Sequence, residues 1–196
     1  MTNARVLQTY LGAIVLTLVA SGLYLGVNGV SDDNIGLLLR LTARAAFLVL
    51  LVVFVARPLR QLFRAPFTLV LLKNRARIGL AFAGIHTGHL LLLVYKAREI
   101  PDFQLSVAEN AIGAFVYALM FAMVVTTFRA PARAIGPRAW RILHKTGLYV
   151  LTAAFAQTQL PRSLDDLSGV SWWLVAALAI ALVIRLTAFL AKRSET

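Results

Sequence analysis

The chain has 196 residues, 60% of them hydrophobic and 14% charged, with a net charge of +12 and no cysteine. Soluble domains average about 45–50% apolar and about 25% charged residues, and one core of this size cannot hide so much apolar surface. A soluble enzyme and a disordered chain are excluded, and the missing thiols exclude disulfides, iron–sulfur clusters, thiolate zinc sites and covalent c-type haem.

A hydrocarbon core of about 30 Å needs roughly 20 apolar residues per helix. Six stretches qualify: Leu7–Val27, Ile35–Val55, Arg77–Tyr95, Val107–Phe128, Ala139–Gln157 and Val170–Leu190. They are predicted to be helical, because in lipid every backbone polar group must be satisfied within its segment. They lack the alternation of barrel strands. The first span is too long for a signal-peptide core and lacks a clear A-x-A site, so it is expected to be a retained helix. The apolar run Pro66–Leu72 is too short to span and is expected at the inner interface or dipping into the bundle.

Charge sets the expected orientation. Loop 2–3 carries Arg57, Arg60, Arg64, Lys73, Arg75 and Arg77, and loop 4–5 with the following helix start carries Arg129, Arg133, Arg138, Arg141 and Lys145, both without an acid. Loop 1–2 has Asp32 and Asp33, loop 3–4 has Lys96, Arg98, Glu99, Asp102 and Glu109, and loop 5–6 has Arg162, Asp165 and Asp166. The positive-inside rule puts the even-numbered loops and both termini in the cytoplasm. The same rule accounts for the net positive charge without nucleic acid. The expected fold class is all-α: a polytopic, six-transmembrane-helix bundle forming a single domain over residues 1–196.

Polar residues within spans are rare and usually face the bundle interior. Helix 2 has Arg40 and Arg44, helix 3 has His86 and His89, helix 4 has Asn110, helix 5 has His144 and Gln157, and helix 6 has Arg185, placed to snorkel inward. All three histidines thus fall in the membrane region. A single buried histidine is more often a satisfied polar group than a ligand, but neutral imidazole is also a common ligand of metals and haem. Zinc or di-iron sites want carboxylates or further histidines, and no Asp or Glu occupies a span centre. Haem needs one or two imidazoles, an apolar slot and cations for its propionates, and this sequence supplies each.

Gly84 and Gly88 beside His86, and Gly147 beyond His144, would let a flat macrocycle approach the backbone; the plainer reading of Gly84-x-x-x-Gly88 is helix packing. At about 1.5 Å per residue, His89 lies roughly 18 Å into helix 3, and Arg44 lies at similar depth in helix 2. Arg40 is one turn further out. Buried arginines call for an anion such as a propionate, or for carbonyl hydrogen bonds; Arg40 could also snorkel outward.

Three segments resemble a known family. Arg75-Ala-Arg-Ile-Gly-Leu-Ala-Phe82, followed by His89 and Tyr95, is similar to the third helix of ferric reductase-like transmembrane domains. Trp140-Arg-Ile-Leu-His144-Lys-Thr-Gly-Leu-Tyr149 is similar to their fifth, and Ala56-Arg-Pro-Leu-Arg60 to the end of their second. The resemblance covers roughly residues 35 to 160 and the six-helix topology. The group includes bacterial MsrQ-type haem subunits and, more distantly, NADPH oxidases and STEAP-type metalloreductases.

The resemblance implies b-type haem, one or two, between helices 3 and 5. His89 matches the outer histidine of helix 3 and His144 the inner histidine of helix 5. The sequence departs from the pattern at Gln157, where a second helix 5 histidine is expected, and at Arg75, where the inner helix 3 histidine would fall. Two-histidine ligation is therefore incomplete at both depths. His86 is an extra imidazole that could compensate. His89 and His144 also differ by roughly 10 Å in depth. His86, His89, His144, Arg40 and Arg44 are the cofactor-binding candidates, with His89 and His144 as iron ligands.

The expected function is a haem-dependent electron-transfer subunit, multi-pass in a bacterial inner membrane. No nucleotide-binding glycine loop appears, so electrons are expected from a separate flavin reductase or from quinol. They would pass to a partner protein, which MsrQ resemblance makes a periplasmic reductase. The alternative is a haem-free structural or assembly subunit of a larger membrane complex. A transporter lacks an intramembrane carboxylate relay, and no Ser-His-Asp or paired-carboxylate set suggests a hydrolase.

Overall fold

The computed structural model describes residues 1–100, 103, 107–165 and 172–194, without the side chains of residues 107–110 and 159–165. Asp102, Glu109, Asn110, Arg162, Asp165 and Asp166 therefore lie outside the described residues or side chains. The order is α1 (Asn3–Asn28), α2 (Asp32–Leu62), α3 (Pro66–Glu99), α4 (Val107–Val125), α5 (Arg129–Asp165) and α6 (Trp172–Ser194). All regular structure among the described residues is helical. α1, α2, α3 and α6 are each long and apolar enough to cross a membrane, and α4 and α5 meet that test together across the break at residues 126–128. The chain is an all-helical, multi-pass membrane protein.

The helices outrun the apolar stretches. Loop 2–3 shrinks to Phe63–Ala65, since α2 continues to Leu62 and α3 starts at Pro66. Thus the Pro66–Leu72 run is the start of α3, not a separate interfacial segment. Proline suits a first helical position because its missing N–H is not needed there, and the Thr68 hydroxyl reaches the Phe63 and Ala65 carbonyls at 2.7 and 2.8 Å. The flanking Arg and Lys are good helix formers, so the helix continues where apolarity stops. Residues 129–135, expected as loop, are helical too. α5 then breaks at Gly136, whose φ of 75° and ψ of 164° favour glycine, and restarts at Pro137.

Two compact units are present: Met1–Ala46 with Leu80–Gly147, and Phe47–Gly79 with Leu148–Thr196. In the first, α3 packs on α1 through its glycines. A Cβ at Gly84 would lie 2.6 Å from both Ala13 Cβ and the Tyr10 carbonyl, and one at Gly88 would lie 2.7 Å from Thr17 Cγ2. The Tyr10 hydroxyl meets Thr87 Oγ1 at 2.9 Å on the same face. The starts of α1 and α5 meet where Arg129 N–H donates to Asn3 Oδ1. At another corner, Lys96 Nζ pairs with Asp32 Oδ1 at 2.8 Å, joining the end of α3 to the start of α2.

In the second unit, Phe47 stacks on Phe155 with centroids 5.6 Å apart. Leu50, Phe54, Leu151, Leu174 and Leu178 are buried in the same unit. Large apolar residues on α1 and α6, such as Leu16 and Phe189, stay exposed, as expected for surfaces solvated by lipid.

Candidate functional site

α3 divides its faces among three neighbours. Gly84, Thr87 and Gly88 face α1, His86 faces α4, and His89 faces α2. The His86 ring stacks on Tyr117 at 4.6 Å and on His89 at 5.3 Å, with interplanar angles of 12° and 15°. Phe82 and Phe121 extend this column at either end. Tyr117 donates its hydroxyl to the His86 carbonyl at 3.3 Å.

Thr42 Oγ1 lies 2.9 Å from His89 Nδ1 and 2.8 Å from the Leu38 carbonyl, so the α2 hydroxyl holds the ring through Nδ1. Metal-binding histidines are commonly oriented this way, by an oxygen at the other ring nitrogen.

His144 is arranged the opposite way. Thr126 Oγ1 lies 2.7 Å from the Ala122 carbonyl and 3.0 Å from His144 Nε2, so here Nε2 is the ring nitrogen that meets the hydroxyl. Trp140, one turn earlier, stacks on His144 at 4.2 Å and donates its indole N–H to the Thr126 carbonyl at 2.9 Å. Gly147 packs against Met123.

The remaining predicted residues separate. Arg44 is half-buried on α2. Arg40 is exposed and lies back over Gly36, toward the start of α2; a Cβ at Gly36 would meet its Nη1 at 3.6 Å. Gln157 is exposed. Arg185 does not snorkel: Nη1 donates to the Phe54 carbonyl at 2.7 Å, Nη2 donates to Tyr149 Oη, and the guanidinium lies over both rings. Among the described residues, no three His, Cys, Asp or Glu converge as a metal site.

The donor set fits haem in part. It supplies one imidazole, His89, held by the Thr42 hydroxyl. His86 and His89 could not hold one iron between them, because their rings stack almost parallel at 5.3 Å on the same helix. The glycine cradle at Gly84 and Gly88 is filled by α1, so packing, not access for a macrocycle, accounts for it.

Sequence reasoning missed Thr42, Thr126 and Tyr117. Depth arithmetic could have found Thr42, since it places Arg44 level with His89 and Thr42 stands two residues away.

The long apolar helices define a multi-pass membrane protein, and all three of its histidines lie on them. Residues 41–156, more than half of the chain, match the model of the ferric reductase like transmembrane component. The chain belongs to that family, which supports a role in membrane electron transfer. No curated protein and no solved structure matches it.

Proposed function

We propose that the chain is a b-type haem-binding, single-domain electron-transfer subunit, in which His89 would hold the haem iron. The observation carrying this reading is the Thr42–His89 hydrogen bond, which holds the imidazole by Nδ1 within the family-matched segment. Bound haem would supply reversible one-electron exchange at iron. Thr42 orients the imidazole. The His86–Tyr117 column packs beside it and limits water access. Arg44, with Arg40 one turn away, offers positive charge for propionates. His144 is the second candidate ligand.

The proposed setting is a bacterial inner membrane, with the basic loops cytoplasmic. The donor is a separate flavin reductase or quinol, and the acceptor is a partner protein. The test is a reduced-minus-oxidised spectrum with a pyridine haemochrome assay on the detergent-purified chain. A b-type signal at about one haem per chain supports the reading. A well-folded chain that takes up none from haemin overturns it.

A second reading is a haem-free structural subunit of a larger complex. It is favoured by the way rings and threonine hydroxyls already engage all three histidines.

A further inference from the structure

Proline has no N–H to donate, so Pro58 leaves the carbonyl four residues earlier, Phe54, without its usual helical partner. Arg185 Nη1 from α6 takes that carbonyl at 2.7 Å. The adjacent Val53 carbonyl accepts Arg75 Nε from α3 at 3.2 Å. Arg57 follows one turn after Val53 on α2, and it and Arg185 both act electrostatically on Arg75. Three helices of the Phe47–Gly79 and Leu148–Thr196 unit thus bring three guanidinium groups to one place.

Nothing in the described part of this unit neutralises them. Its described side chains include Arg57, Arg60, Arg64, Lys73, Arg75, Arg77, Arg185, Lys192 and Arg193, and not one acid. Arg185 is held by the Phe54 carbonyl and two aromatic rings. Arg75 uses only Nε, so its two Nη atoms make no hydrogen bond among the described residues, and neither does Arg57. Like charges held partly out of water are costly unless an anion meets them.

We propose that Arg57 and Arg75, reinforced by the charge of Arg185, form a binding site for a phosphate oxyanion, supplied by the headgroup of an anionic phospholipid. Planar guanidinium forks match phosphate oxygens in pairs. A lipid source is favoured because α3 and α6 are apolar enough to span a membrane. They also expose Phe67, Val70, Leu186 and Phe189, which suit acyl chains. The site is independent of haem. It occupies the position where the family resemblance leads one to expect an inner histidine.

The test is native mass spectrometry of the delipidated full chain with phosphatidylglycerol, with phosphatidylcholine of the same acyl chains, and with inorganic phosphate. Phosphatidylglycerol should be retained over phosphatidylcholine, and Arg57→Gln and Arg75→Gln should each weaken retention about fivefold, as expected per basic residue near anionic lipid. Arg64→Gln, at the exposed tip of the α2–α3 hairpin, should leave it unchanged. Arg57 is exposed, so its variant does not depend on tolerance of a core change; Arg75→Lys keeps the charge and should restore part of the retention. Inorganic phosphate that binds equally well, and is lost in the same variants, supports the oxyanion site and overturns its lipid source. Retention equal for both lipids, or unaffected by Arg57→Gln and Arg75→Gln together, overturns the site.

Discussion

His89 and His144 each meet a threonine hydroxyl on a neighbouring helix, yet they present opposite nitrogens. Thr42 Oγ1 meets His89 Nδ1, whereas Thr126 Oγ1 meets His144 Nε2. In both cases the hydroxyl also lies within hydrogen-bonding distance of a carbonyl one turn back in its helix. Only the ring nitrogen that each histidine brings to the hydroxyl differs. The two histidines of the family-matched segment are therefore held in different ways.

The largest expected effect separates them directly. His89→Ala should lose most bound haem, while His144→Ala should retain most of it, with both contents read by haemochrome assay. Next come the hydroxyls. Thr42→Val removes a group that orients the ligand and should weaken haem affinity roughly tenfold, in the range found for such orienting partners. Thr126→Val should leave affinity unchanged, and haemin titration of the two variants measures the contrast.

A smaller effect separates packing from ligation. Gly84→Ala places a methyl against the Tyr10 carbonyl and Ala13, and should cost about 1–3 kcal/mol as overpacking does. Thermal unfolding in detergent reads this loss, and haem per folded chain should not change. The smallest effect belongs to Tyr117→Phe. It deletes the bond to the His86 carbonyl but keeps the ring stack, so about 0.5–1.5 kcal/mol is expected in the same assay.

Much of the fold was legible. Six helices follow from the apolar runs, although α4 and α5 are long and apolar enough to span only together. Helix ends were less legible, because apolarity ends at Arg57 or Arg75 while backbone hydrogen bonding continues through them. The histidines themselves were legible as polar residues in spans. Their partners were not, because Thr42 and Thr126 are unremarkable in a sequence until helix depth and facing are known. Arg185 shows the same limit. Reach alone suggests snorkelling, whereas Pro58 opens a carbonyl on α2 that holds it inside the unit.

The most direct test is haem stoichiometry of His89→Ala and His144→Ala, purified side by side with the unaltered chain and reconstituted with haemin. The account predicts about one haem per chain in the parent, little in His89→Ala and near-parental content in His144→Ala. Retention in His89→Ala with loss in His144→Ala would contradict the assignment of His89 as the haem-holding residue.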